Sequence, residues 1–291
     1  MRISFIGVGV MGNGMVANLL KRGFPVAIYT RTKSKALPAI EAGAVWRDGV
    51  AECVRDADMV ISIVGFPKDV EEIYFGPKGI LENVRPGTVV ADMTTSSPEL
   101  AQRIYREAAK KGVFALDAPV SGGDTGAREG TLSIMVGGDR QAFETCLPVF
   151  EAMGRNVRFE GPAGFGQHTK MANQIAIAGT LAGVTEAVAY ARRAGLDCWE
   201  MLDTIRAGAA GSWQMTYNAP KMLSEDYSPG FYIKHFVKDM VIASQESQAR
   251  GEKLPVLEQV LSMFKTLWTD GYSEEGTQAL IRAYAAEKKP E

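Results

Sequence analysis

Three segments of this chain concentrate groups able to do chemistry. Lys170 is followed by Asn173 and Gln174, three and four positions on, so in a helix one amine and two amides share a face that can point into an interdomain cleft. An amine withdrawn from bulk water holds its charged form less firmly, which suits it to donating and reclaiming a proton; a lysine left on a helix surface has no such role, and spacing alone admits both readings. The run Asp117-Ala118-Pro119-Val120-Ser121-Gly122-Gly123 offers one hydroxyl donor and two glycines whose backbone N–H groups an anion can approach closely. It reads either as a carboxylate-binding loop or as an ordinary turn.

The third segment is Gly7-x-Gly9-x-x-Gly12, which directly follows a short hydrophobic run. A strand, then glycines at this spacing, then a helix, seats a dinucleotide pyrophosphate: the first glycine makes the tight turn, the second admits the phosphates, and the third lets the helix lie against the sheet. About twenty residues on, where an acid would bond a ribose 2′-hydroxyl, the chain reads Thr30-Arg31-Thr32-Lys33. Hydroxyl donors and positive charge there favour a 2′-phosphate, hence NADP(H), with NAD(H) as the lesser alternative. The competing reading makes Arg31 and Lys33 a solvated loop.

The elements that must position these groups follow from hydrophobic patterning. Short apolar or β-branched runs at 2–8, 25–30, 58–64, 88–93, 113–119 and 132–138 alternate with helical patterns at 12–22, 34–42, 68–74 and 97–111. That alternation predicts an α/β fold, a Rossmann-type doubly wound parallel sheet completed by a helix over 139–152 and a strand near 156–161. Gly161, Pro162, Gly164 and Gly166 mark a boundary, giving an NADP-binding domain over 1–162 and an all-helical substrate and oligomerisation domain over 163–291. The second begins with one long helix over 167–194, roughly 42 Å at 1.5 Å per residue. Further helices are expected at 197–207, 213–223, 235–250, 256–270 and 274–288, the last with Ser273 as N-cap and a frayed end at 288–291. In the helix around Lys238, Lys234 and Lys238 are expected to face water.

Composition narrows the partners. The chain has 291 residues, a net charge of −2 and 46% hydrophobic residues, which argues against a general nucleic-acid or anionic-membrane surface. Cys53, Cys146 and Cys198 are too few and too scattered for a disulfide framework or a metal site, so a reducing cytoplasm is expected and no metal. Only two histidines are present, which leaves little material for a histidine-based triad. No leader is read before the first strand, and no apolar stretch suits a membrane span.

Taken together, the glycine turn with Val10 and Met11, DMTTSSP at 92–98, DAPVSGG at 117–123, GTLSIMVGGD at 130–139 and GFGQHTKMANQ at 164–174 resemble the β-hydroxyacid dehydrogenase family, which includes 3-hydroxyisobutyrate dehydrogenases and the tartronate and glyoxylate/succinic semialdehyde reductases. The resemblance implies a Rossmann domain joined by a long helix to an α-helical one, usually in a homodimer or homotetramer. It makes Lys170 the catalytic lysine and Ser121, Gly122 and Gly123 the substrate-carboxylate loop, with Asn173 or Gln174 also on the substrate. Gly7, Gly9, Val10, Met11, Gly12, Arg31, Thr32, Thr95 and Lys238 are implied on the cofactor. Many members carry Asn where this chain has Gln174; the KxANQ pattern, the segment 205–212 and Pro229-Gly230-Phe231 look like tartronate semialdehyde reductases, whereas Thr30-Arg31-Thr32 looks like the NADPH-dependent glyoxylate/succinic semialdehyde reductases. The implied reaction is reduction of a short semialdehyde or 3-oxo acid, including methylmalonate semialdehyde, or the reverse oxidation. The alternatives are an imine reductase on the same scaffold, whose members generally replace the lysine, and a non-catalytic NADP sensor.

Overall fold

The computed structural model describes residues 1–284. Among the described residues nine strands form one sheet: β1 (Ile3–Ile6), β2 (Val26–Tyr29), β3 (Val45–Trp46), β4 (Met59–Ser62), β5 (Val89–Asp92), β6 (Phe114–Asp117), β7 (Val120–Ser121), β8 (Leu132–Gly138) and β9 (Gly154–Gly161). Their order is β3-β2-β1-β4-β5-β6-β8-β7, with β9 against β8. The first six are parallel, and the order reverses direction between β1 and β4, the crevice where doubly wound sheets collect ligands. Beyond β6 the sheet changes character, because β8 runs antiparallel to both β6 and β7 while pairing parallel with β9.

Helices cover both faces. In chain order they are α1 (Val10–Lys21), α2 (Leu37–Glu41), α3 (Val50–Val54), α4 (Pro67–Phe75), α5 (Ile80–Asn83), α6 (Pro98–Ala109), α7 (Gly123–Glu129) and α8 (Arg140–Met153). One face buries Met15, Val16 and Leu19 of α1 with Phe150 and Met153 of α8, and the other buries Val70 and Tyr74 of α4 with Ile104 and Ala108 of α6. The central strands therefore lie between two apolar layers, which is why β1, β4 and β5 are uniformly buried runs without alternation. Local signals set the helix starts: Ser97 accepts from Leu100 N ahead of Pro98, and Asp139 accepts from Ala142 N.

Short elements escaped the periodicity reading. The segment after Pro119, expected as a loop, contains β7 and then α7, whose sequence GDTGARE has two glycines and no apolar stripe. Packing rather than propensity holds α7: Asn18 of α1 donates from Nδ2 to Ala127 O at 2.8 Å.

Grouping by contacts divides the chain into compact units Met1–Lys170 and Met171–Glu291. The dividing point lies within α9 (Phe165–Ala194), the long helix. The second unit continues with α10 (Cys198–Arg206), α11 (Ala219–Leu223), α12 (Ile233–Ala249) and α13 (Pro255–Leu267) around a core that includes Leu181, Val188, Phe236, Met240 and Phe264. The continuous helix expected over 213–223 is a π-turn at Gln214–Asn218 followed by α11, since Pro220 lacks the N–H an unbroken α-ladder needs. The helix expected over 256–270 ends in a π-turn containing Gly271 at φ 94°. In place of the helix expected over 274–288, Thr277–Tyr284 form a 3₁₀ helix; the remainder, with the frayed end at 288–291, lies outside the described residues. Among the described residues no helix is long and apolar enough to cross a membrane.

Candidate active site

The C-terminal ends of β1, β2, β5 and β6 carry the candidate groups of the first unit. Gly7 leaves β1 at φ 100°, and a Cβ there would overlap the carbonyl of Ile63; one on Gly12 would overlap the carbonyl of Gly7. Gly9 differs, since its added Cβ would meet no protein atom within 4 Å and its φ of −101° suits any residue. The protein's own packing therefore requires glycine at 7 and 12 but not at 9. No side chain caps α1, and Val10 is 61% exposed at its start, with Met11 half-buried beside it. Open peptide N–H groups at the positive end of a helix dipole beside an unobstructed Gly9 fit a bound pyrophosphate.

At the end of β2, Arg31 and Thr32 are both exposed. The guanidinium of Arg31 is not a bare cation, however: it pairs with Asp69 Oδ1 at 3.1 Å, while Asp69 Oδ2 accepts from Phe66 N at 3.0 Å and so caps α4. Lys33 stacks its amine over Trp46 at 5.1 Å.

The ends of β5 and β6 hold a buried polar network. Asp92 Oδ1 accepts from Ser62 Oγ at 2.9 Å and from Thr94 N at 3.2 Å. Asp117, its register partner on β6, accepts from Gly164 N at 2.7 Å and Gln167 N at 2.8 Å, so its carboxylate caps α9. Gln167, fully buried, donates from Nε2 to Thr94 O at 2.7 Å and accepts at Oε1 from Ser96 N at 3.0 Å. Thr95, half-buried, lies between those two grips. Lys170 follows three residues along α9 and is 5% exposed, which removes the solvated-surface reading that spacing alone allowed.

Burial raises the carboxyl of Asp92 to about 6, the Asp117 charge adding to the effect against its hydrogen bonds; burial also raises Asp117, opposed by its backbone donors. Folded Asp92 thus keeps its proton up to about pH 6, whereas an unfolded aspartate releases it near pH 4. The folded state binds more protons in that window, so this group's stabilisation is complete below about pH 4 and disappears as pH rises through about 6. Asp92→Asn keeps the acceptor and drops the titration. Its stability relative to wild type should therefore climb between pH 4 and 7, by up to about 3 kcal/mol; a thermal-shift difference that stays flat with pH would contradict this.

The carboxylate-loop candidates come next in the same unit. Ser121 ends β7, where it pairs with Ser133, and Gly122 and Gly123 follow at φ 128° and 63°, conformations that side chains with a Cβ rarely take.

In the helical unit, Asn173 Nδ2 donates to Gln174 Oε1 at 2.7 Å, and Gln174 Nε2 donates to Asp239 Oδ2 at 2.7 Å. Asp239 Oδ1 stands 3.0 Å from Lys238 Nζ, and the Lys238 side chain is only 11% exposed, so the expectation that Lys238 faces water is wrong. A buried carboxylate one residue away draws the amine in. Lys234 differs, since its partner Glu274, at 2.6 Å, is 67% exposed and the pair lies at the surface. Burial and the neighbouring lysines lower His235 to about 4, leaving it neutral near pH 7.

Sequence reading missed three residues that organise these sites. Asp117 was legible only as part of a glycine-rich run, and its capping partners lie about fifty positions downstream. Gln167 gave no signal beyond its motif, and Asp239 stood beside Lys238 with no role legible in the sequence. Among the described residues no group of three or more His, Cys, Asp or Glu could hold a metal ion.

The strand order and the glycine turn are those of a doubly wound dinucleotide-binding fold. Residues 2–161 match the NAD-binding domain of 6-phosphogluconate dehydrogenase, and residues 164–284 match the NAD-binding family of NADP-dependent 3-hydroxyisobutyrate dehydrogenase. The chain is 44% identical to a probable 3-hydroxyisobutyrate dehydrogenase-like protein of Arabidopsis thaliana, covering 97% of this chain and 84% of that one. It is 37% identical to the NAD-dependent L-serine dehydrogenase of Pseudomonas aeruginosa, over 94% of each. A solved 3-hydroxyisobutyrate dehydrogenase from Mycobacterium tuberculosis with L-serine superposes with a TM-score of 0.89 at 29% identity, over 98% of this chain and 100% of that one. This chain belongs to the β-hydroxyacid dehydrogenase family, whose members are NAD(P)-dependent hydroxyacid dehydrogenases.

Proposed function

We propose that the chain reduces a short semialdehyde, 3-oxo acid or glyoxylate to its hydroxy acid, or oxidises a 3-hydroxy acid in reverse, using NADP(H), with Lys170 as general acid and base. The observation that carries this reading is the burial of Lys170 on α9, three residues past the glutamine that grips the turn around Thr95. The bound nicotinamide supplies or accepts the hydride. Ser121 and the N–H groups of Gly122 and Gly123 hold the substrate carboxylate, and Thr95 lies beside the nicotinamide. The Lys170 ammonium delivers a proton to the substrate oxygen as hydride reaches the carbonyl carbon; in reverse the neutral amine removes the hydroxyl proton. Fixed geometry supplies much of the acceleration.

Of the two amide candidates, Asn173 is the better substrate contact. Gln174 is 1% exposed and both ends of its amide are engaged, by Asn173 and Asp239, whereas Asn173 is half-buried. Lys238, oriented by Asp239, serves the cofactor or the substrate carboxylate. The exposed, stacked pair Trp213 and Tyr217, 4.6 Å apart, supports a homodimer or homotetramer built through the helical unit.

NADP(H) is the preferred cofactor because Arg31 and Thr32 follow β2 where an acid would exclude a 2′-phosphate. Asp69 tempers that preference by competing for Arg31. Arg31→Ala should lower kcat/KM for NADPH while sparing NADH, and Asp69→Asn should shift the ratio toward NADPH, each by roughly ten- to 150-fold, the range of one charge-assisted hydrogen bond. A wild-type preference for NADH would overturn the assignment. The activity itself is tested by one kinetic panel: tartronate, succinic and methylmalonate semialdehydes, glyoxylate, 3-hydroxyisobutyrate and L-serine, each with both cofactors. Turnover of none of them would reject the reading.

A further inference from the structure

We infer that Gln167 is a positioning residue that sets the spacing between the proton donor and the nicotinamide site. The inference rests on the proposed roles of Lys170 and Thr95. Its support is the way a single buried side chain is used. Oε1 accepts from Ser96 N, Nε2 donates to Thr94 O, and the same residue's backbone N–H is held by Asp117 Oδ2. The turn at 94–96 is therefore clamped on both sides of Thr95, and the clamp is built into the first turns of the helix that carries Lys170. Lys170 stands one helical turn further on, so the position of its Cα relative to the turn is fixed through about one turn of rigid backbone.

The holds described at Thr94, Ser96 and Asp117 do not replace this one. The Ser96 hydroxyl is buried and makes no hydrogen bond, so that side chain does not help to fix the turn. Thr94 is held at its N–H by Asp92 and at its hydroxyl by Val64 N, which ties it to the β4 and β5 ends but not to α9. Asp117 holds α9 to the end of β6 and leaves 94–96 untouched. Among these bonds, those of the Gln167 amide are the ones that join the turn to the helix.

The amide is chemically required, because one end must accept from an N–H while the other donates to a carbonyl. Glutamate keeps the shape but ionises: at neutral and alkaline pH a carboxylate oxygen would face the Thr94 carbonyl, two acceptors with no proton between them. When protonated, the acid again donates to Thr94 O and accepts from Ser96 N. Gln167→Glu should therefore be a pH-dependent lesion and Gln167→Ala a pH-independent one.

The test compares wild type, Gln167→Glu and Gln167→Ala with reduced cofactor carrying deuterium at the transferred position. It measures kcat, cofactor Kd and the primary isotope effect on kcat/KM between pH 5.5 and 9. Cofactor affinity, set mainly at the glycine turn, should hold, while kcat falls about 10–100-fold in the alanine variant and in the glutamate variant at high pH. The isotope effect should depart from wild type in step, and in the glutamate variant both should return toward wild type as pH falls. The isotope effect is a ratio independent of how much enzyme is folded, so a purely structural loss leaves it unchanged. Wild-type isotope effects in both variants across the pH range overturn the inference, whatever happens to kcat. Lys170→Ala run alongside separates the two levels. Lost turnover in Lys170→Ala with wild-type isotope effects in both Gln167 variants sinks the positioning role alone, and near-normal turnover in Lys170→Ala sinks the underlying reading as well.

Discussion

Lys170→Ala is expected to lose about 10²–10⁴-fold in kcat while binding cofactor as wild type does. The separation follows from where the groups sit. The cofactor's pyrophosphate is assigned to the Gly7–Gly12 turn after β1 and its ribose to the residues after β2, whereas Lys170 lies on α9. Removing the amine deletes a proton donor without disturbing those contacts. Because Lys170 is buried, its truncation also leaves a small void in place of a methylene stem, which costs stability as well as rate. The measurement is therefore kcat on protein shown to be folded by thermal unfolding, with cofactor Kd taken from nicotinamide fluorescence. Near-normal turnover by folded Lys170→Ala would reject the general acid–base assignment.

The second large effect is expected at Gly9, and it should be the opposite of what the same change does at Gly7. An alanine at Gly9 meets no protein atom within 4 Å and a permissive φ, so the fold should accept it with little change in thermal stability. The new methyl instead occupies the space through which phosphates approach the start of α1. Overpacking of that kind costs about 1–3 kcal/mol, which is roughly a five- to hundredfold rise in cofactor Kd. At Gly7 an alanine would collide with the Ile63 carbonyl and sit at φ 100°, so the fold itself should suffer. The decisive comparison is a melt and a cofactor titration on each variant. A Gly9→Ala protein that binds cofactor as wild type does would show that the pyrophosphate does not pass there.

Much of this architecture was legible because it is written in local patterns. Buried strands such as β1 and β4 are continuous apolar runs, α6 and α8 begin at side-chain caps, and the glycine turn has a steric cause within the protein at Gly7 and Gly12. The short pieces were not legible. A two-residue strand such as β7 has no periodicity to read, and α7 exists because α1 offers it a surface. The π-turns at Gln214–Asn218 and Trp268–Tyr272 were missed for a related reason, since a proline or glycine within a helical pattern signals a disturbance without saying which ladder follows.

The site divides in the same way. The chemistry-bearing residues announced themselves by type: an amine, a hydroxyl beside glycines, an arginine where an acid was expected. The residues that hold them did not, because their partners are remote in the chain. Gln167 reaches back more than seventy positions to Thr94, and Gln174 reaches forward sixty-five to Asp239. Lys238 shows the cost of local reading: helical periodicity put it in water, and one carboxylate next to it reversed the outcome.

The clamp around Thr95 has a bearing on how such an enzyme can diversify. The Gln167 amide grips the turn only through main-chain atoms, which every residue but proline supplies in full. The side chain at 96, whose hydroxyl makes no hydrogen bond, can therefore be exchanged over generations without loosening the clamp, so selection can reshape the surroundings while the proposed spacing between hydride and proton stays inherited.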